Sequence, residues 1–196
     1  IDLCPVGALN NKPYRFSARA WEMQSLPTVA PHDCVGSNLS AHVLLGRVKR
    51  VVPRVNEAIN ETWLSDRDRF SYAGIYAPDR LQQPMIRENG EWRIAGWEEA
   101  LQLTASKLAG VACESGGAGL GAWVAPSATT EEGYLLQRLL RHLGSANIDH
   151  RLRRRDFRLE ERDPVFPSLG ASLEEIEAAD AILVIGSNLR REAPIL

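Results

Sequence analysis

Cysteine is the first scarcity. Cys4, Cys34 and Cys113 are the only three in 196 residues. Their wide, uneven spacing excludes a disulfide framework and points to a reducing compartment. It also excludes a four-thiolate metal site assembled within the chain. Charge of one sign is lacking too: 23 basic against 25 acidic residues leave a net charge of −2, which gives no general case for nucleic acid or anionic lipid as a partner. Long apolar runs are absent, the longest being Ala181 to Ile185, far too short to cross a bilayer. No charged-then-apolar leader is present. Histidine is sparse, and His32, His42, His142 and His150 fall nowhere near a second ligand at metal spacing, so they read as surface or core residues. The expectation at this level is a soluble cytoplasmic protein, with 44% hydrophobic and 24% charged residues, long enough for one large or two small domains.

What is present starts at the front, with Ile1-Asp2-Leu3-Cys4-Pro5-Val6-Gly7-Ala8-Leu9. A cysteine followed by proline and a small-residue turn is how the last ligand of a bacterial-type iron–sulfur run commonly reads. Proline at a first helical position costs no hydrogen bond, and the turn beyond it can place N–H groups near the sulfur. A structural cysteine is the alternative. As a ligand, Cys4 needs three partners from before residue 1, and a chain beginning with Ile agrees with a piece of something longer.

Residues 10–27 carry prolines and aromatics without periodicity, which suits a connector anchored by Tyr14, Phe16 and Trp21. Thr28-Val29 and Ala41 to Arg54 read as short strands, with a turn at Gly46. Asn56 to Asn60 reads as a loop, and Ser65 as the N-cap of a helix over Asp66 to Tyr72. From Pro84 the character becomes α/β. Asn89-Gly90 predicts a hairpin between residues 85–87 and 92–94. Trp97 to Ala109 predicts an amphipathic helix stopping at Gly110. Leu120 to Val124 predicts a buried strand. Thr129 or Thr130 caps a leucine-rich helix that ends at Gly144, and Asn147 to Asp149 predicts a further short strand. Ser172 to Glu175 forms a capping box for a helix to Ala178. Ala181 to Ile185 predicts another buried strand ending in Gly186-Ser187-Asn188, and Pro194 to Leu196 reads as the start of a helix. Alternation of strands and helices predicts a parallel sheet with crossovers. The fold class expected is thus α/β with a small β-rich domain.

The segments IDLCPVGAL, KPYRFSARAWE, VGSN, RVVPRVNEAINETWLSDRDRF and IGSNLRREAP together resemble the large iron–sulfur subunits of respiratory complex I. Complex I is the proton-pumping NADH:quinone oxidoreductase, and these subunits are related to molybdopterin oxidoreductases such as formate dehydrogenase. The resemblance implies the end of an iron–sulfur domain and a connector over 1–27, a small β domain over 28–82, and the N-terminal part of a molybdopterin-oxidoreductase-like α/β domain over 83–196. It implies that the parent passes electrons from NADH and flavin toward quinone, with the other subunits of the peripheral arm as partners. It places the parent on the cytoplasmic side of a bacterial inner membrane, or on the matrix side of a mitochondrial one, with no insertion of its own. Cys4 is then one ligand of a [4Fe–4S] cluster in the full-length parent, and the isolated fragment is not expected to hold a cluster or catalyse.

Some relatives carry a further [4Fe–4S] cluster in the β domain, with cysteines spaced Cys-x2-Cys-x3-Cys-x27-Cys. Here the matching positions are Ala30, Asp33, Ser37 and Ser65, with Cys34 one place off, so a degenerate site is expected. A molybdopterin enzyme is the alternative function, but it needs a metal-binding cysteine near the sheet. Cys113, in a Gly-rich loop before the first α/β strand, is the only candidate. Gly186-Ser187-Asn188 lies where such relatives hold the pterin, and reads here as turn chemistry. Arg151, Arg153, Arg154 and Arg155 face Glu160, Glu161 and Asp163, as a solvated loop or a docking surface.

Overall fold

The computed structural model describes residues 1–152, 156, 158, 160–162, 164 and 168–196. They divide into two units, Ile1–Pro78 with Asp163–Leu196, and Asp79–Arg162.

The first unit is built on an antiparallel meander of β1 (Gln24–Val29), β2 (Asn38–Leu44) and β3 (Arg47–Pro53). Sequence pattern starts β1 only at Thr28, because Gln24-Ser25-Leu26-Pro27 shows no alternation. Pairing with β2 decides otherwise, running from Gln24 opposite Val43 to Val29 opposite Asn38. Pro27 is tolerated there because β1 is an edge strand. Leu45 and Gly46, at φ of 49° and 73°, make the two-residue left-handed turn that matches strand twist. Leu39, Val51 and Ala30 are buried, with Val48, Leu64 and Tyr72 packed on them. Asn60 is also buried. It accepts the Asn38 N–H (2.9 Å) and donates to the Trp63 carbonyl (3.0 Å), which fixes the loop below the sheet. The expected cap holds: Ser65 Oγ accepts the Asp68 N–H at 3.1 Å, opening α1 (Asp66–Phe70). The Tyr72 hydroxyl donates to the Lys49 carbonyl at 2.9 Å, tying the turn after α1 to β3.

The later residues of this unit carry two short helices, α4 (Leu173–Glu177) and α5 (Leu189–Glu192). Ser172 and Glu175 form the expected capping box. The strand expected at Ala181 to Ile185 does not form, and Leu183 is 84% exposed. An apolar run becomes a strand only where another strand takes its backbone groups, and among the described residues none does. The helix expected at Pro194 is likewise corrected, since α5 has ended at Glu192 and the last residues make a turn.

In the second unit, β4 (Met85–Glu88) and β5 (Glu91–Ile94) pair about Asn89 and Gly90, at φ of 51° and 89°. α2 (Trp97–Ser115) runs through Gly110 and ends at Gly116, whose φ is 59°. A lone glycine costs a helix about 1 kcal/mol without stopping it. The left-handed residue is what stops it. α3 (Thr130–His142), boxed by Thr129 and Glu132, then joins β6 (Ala122–Trp123) to β7 (Ile148–Asp149). These two are parallel, with Ala122 opposite Ile148. Buried Ser145 donates to the Leu120 carbonyl at 2.7 Å, and a Cβ on Gly117 would sit 2.4 Å from the Gly144 backbone. The parallel α/β character is therefore real, with two paired strands. Among the described residues no helix is long and apolar enough to cross a membrane.

Candidate iron–sulfur site and its degenerate neighbour

The first candidate is the Cys4 turn. No helix follows Pro5. Instead the Cys4 N–H donates to the Ile1 carbonyl (3.2 Å) and the Gly7 N–H to the Cys4 carbonyl (3.4 Å). Gly7, at φ 67°, folds the chain back until the Leu9 N–H lies 3.5 Å from Cys4 Sγ. The Leu9 N–H chiefly, with those of Ala8, Val6 and Gly7, draws the thiol below its ordinary pKa against a smaller opposing effect of burial. Donors aimed at sulfur favour the thiolate, the form that ligates iron. The turn is tethered by an ion pair between Asp2 and the buried Arg69 of α1.

The second candidate joins the loop after β1 to the start of α1. Ala30, Asp33, Ser37 and Ser65, at the thiol positions of the spacing, fall in two hydrogen-bond sets, one joining Ala30, Ser37 and Asp33 and the other joining Ser65 to Asp68 and His32. The Ala30 N–H donates to the Ser37 carbonyl at 2.9 Å. Asp33 Oδ1 accepts the N–H groups of Val35 (3.1 Å), Gly36 (2.7 Å) and Ser37 (3.3 Å). Ser65 Oγ donates to Asp68 Oδ2 at 2.6 Å, while Asp68 Oδ1 accepts the His32 N–H at 3.1 Å. Ser37 is fully buried, and its Oγ has no partner among the described residues.

This donor set does not fit a [4Fe–4S] cluster. Alanine offers no ligand, the Asp33 carboxylate is engaged by the loop's own N–H groups, and Ser65 is engaged by Asp68. Cys34 is exposed. Asp68 is the residue that sequence reasoning missed, although Ser-x-x-Asp before a helix signals a carboxylate at the third helical position. Asp33 reads in the sequence only as a vacant thiol position, yet its place three residues before Gly36 suits an Asx-type turn.

The remaining candidates stay apart. Cys113 lies exposed on α2, not in a loop. Gly186 takes a left-handed φ of 65°, Ser187 donates to Glu192 at 2.7 Å, and Asn188 precedes α5 without a side-chain cap. With the Ser187 hydroxyl taken and no thiolate beside it, this turn does not supply the donors of a molybdenum–pterin centre. His42 is half-buried and accepts from Arg50 Nε at 2.9 Å. Burial, then the Arg50 charge, lowers its pKa. Arg151 pairs with Asp149 at 3.0 Å, while Arg153, Arg154, Arg155 and Asp163 lie outside the described residues. Among those described, no three His, Cys, Asp or Glu side chains gather to hold a metal ion.

Two family models match, "NADH-ubiquinone oxidoreductase NDSU1/NuoG-like, 4Fe-4S domain" over residues 23–73 and "Molybdopterin oxidoreductase" over 80–196. Similar proteins include NADH-quinone oxidoreductase subunits of Rickettsia felis (41% identical) and of Rickettsia bellii (40%), each over all 196 residues. The NADH-ubiquinone oxidoreductase 75 kDa subunit of Reclinomonas americana is 36% identical over the whole of this chain. The chain spans 28% of the length of the two Rickettsia relatives and 29% of the third. With one family model covering more than half of its residues, and homology to these subunits running end to end, the chain belongs to the molybdopterin oxidoreductase family, as a homologue of these NADH-quinone oxidoreductase subunits.

Proposed function

We propose that this chain is part of the iron–sulfur subunit of a proton-pumping NADH:quinone oxidoreductase. In that subunit Cys4 is the last thiolate of a [4Fe–4S] cluster, and the rest of the chain is scaffold. The observation that carries the reading is the Cys4 turn, whose Leu9 N–H points at the sulfur from 3.5 Å and chiefly lowers the thiol's pKa. A bound cluster supplies one-electron transfer on the path from NADH and flavin to quinone. The chain's own contribution is to hold: Cys4 supplies one ligand, Leu9 donates to its sulfur, and Arg69 anchors the turn through Asp2. Residues 1–27 then close the cluster-binding part, 28–82 form a β scaffold with a degenerate site, and 83–196 begin the α/β part. The assembly sits peripherally on the cytoplasmic or matrix face of its membrane, against other peripheral-arm subunits.

The test is Cys4→Ser in the full-length subunit. One [4Fe–4S] electron paramagnetic resonance signal should disappear and NADH-to-quinone flow should slow. Reduction of an artificial acceptor at the flavin should survive, because it precedes the break. An unchanged set of cluster signals would make Cys4 structural only. The molybdopterin alternative has the family model over 80–196 in its favour, but neither Cys113 nor the Gly186 turn provides its metal ligand.

A further inference from the structure

The connector between the Cys4 turn and β1 presents a surface that the scaffold does not use. Phe16 is 96% exposed and sits at φ 65°, a conformation that bulky residues avoid unless their surroundings hold them in it. The surroundings do so. The Arg15 N–H donates to the Asn11 carbonyl (2.9 Å) and the Ser17 N–H to the Tyr14 carbonyl (2.9 Å). The Tyr14 hydroxyl closes the loop on the Ala18 carbonyl at 2.8 Å. Tyr14 is itself clamped by the Arg50 guanidinium, 4.5 Å from the ring centroid, and Arg50 donates to His42 of β2. The loop therefore stands on a pedestal that reaches into the core sheet. It holds outward an aromatic ring whose partner among the described residues is the nearby Arg15 guanidinium. Trp21, 82% exposed, is placed likewise beside Arg19.

Charge indicates what should cover it. Lys12, Arg15 and Arg19 are exposed and carry +3 with no acidic residue between positions 10 and 21. The first acid, Glu22, has its carboxylate turned to the Arg19 N–H at 2.9 Å. Rigid aromatics flanked by arginine are the residues that dominate protein interfaces, and a pre-ordered loop binds without a further ordering cost. We propose that residues 12–21 are a docking epitope that seats Phe16 in an apolar socket rimmed by carboxylates on another subunit of the same oxidoreductase. The inference rests on the function proposed above.

The experiment uses the tagged full-length subunit in cells carrying the whole complex, with photoreactive benzoylphenylalanine replacing Phe16. The expected result is a cross-link to a different polypeptide, mapping to a peptide rich in Asp or Glu. A cross-link within the same polypeptide or to a second copy, or none, overturns the proposal. In parallel, Phe16→Ala and the pair Arg15→Glu with Arg19→Glu should each lower the co-purified NADH-oxidising activity at least tenfold, while the urea midpoint of the variant 196-residue chain stays unchanged. Undiminished co-purification also overturns it. If even the wild-type tagged subunit brings down no NADH-oxidising partner, the functional reading itself has failed, which is a separable result.

Discussion

Two loops of this protein, one around Cys4 and one around Asp33, use the same device for different ends. In each, backbone N–H groups turn toward a single side chain, an arrangement suited to negative charge. Around Cys4 the arrangement faces a partly exposed sulfur and lowers its pKa. Around Asp33 the corresponding donors, from Val35, Gly36 and Ser37, close on a carboxylate belonging to the loop itself. The first loop turns its donor toward a partly exposed sulfur, whereas the second satisfies its own donors with an internal carboxylate.

The comparison can be tested by reversing it. As isolated, the chain should contain no stoichiometric iron or acid-labile sulfide. The variant combining Ala30→Cys, Asp33→Cys, Ser37→Cys and Ser65→Cys should take up one cluster on anaerobic reconstitution, because it restores four thiols at the spacing that a [4Fe–4S] cluster uses. Colourless protein after reconstitution would mean that the loop has closed over the space. Next in size is Asp33→Ala, which strands three N–H groups and should cost about 2 kcal/mol, read as a lowered urea midpoint. An unchanged midpoint would remove the carboxylate from its proposed place at the centre of the loop.

A smaller effect sharpens the other half. In a chain carrying Cys34→Ser and Cys113→Ser, alkylation of Cys4 should titrate below the ordinary thiol range. A folded-state value that is lowered means that the thiolate persists to lower pH than in the unfolded chain. Titration in the ordinary range or above would contradict that arrangement. Smallest is Ser37→Ala. Removing a buried hydroxyl that lacks a partner should raise stability by up to about 1 kcal/mol, and a clear loss of stability would reveal a bonding partner for Oγ.

His42 adds a check through pH. Its lowered folded-state value means that the unfolded chain binds the proton more readily, so stability should fall as pH drops through about 6.5, the ordinary histidine value. His42→Gln should flatten that dependence in thermal melts, since it removes the titrating ring and keeps an acceptor for Arg50.

Much of this is legible in the residues. Ser65, Thr129 and Ser172 announce their helices because a capping side chain acts within three residues of itself, and Asn89-Gly90 fixes its hairpin for the same reason. Cys4-Pro5 and the vacant thiol spacing can be read in advance as well. What escapes depends on distant partners. The first four residues of β1 are strand only because β2 accepts them. Ala181 to Ile185 carries the composition of a buried strand, yet no described strand pairs with it. Gly110 reads as a stop, but helix ends are set by the backbone angle at Gly116, which composition does not reveal. At Asp33 the residue type is plain, and only the folded loop shows three N–H groups closing on it.

The order of strands in the meander also bears on how the chain comes into being. Among the described residues β1, β2 and β3 pair only with their neighbours in sequence, so closing each pair costs little loop entropy and the sheet belongs to the faster class of folding events. β6 must instead wait for α3 and β7. At about 5–20 residues per second of synthesis, β7 leaves the ribosome roughly 5–20 s after β3. Through that interval the meander, its Asp33 loop and the Tyr14 pedestal can form without their α/β sequel, so a translating ribosome should already display an ordered β1–β3 sheet to chaperones.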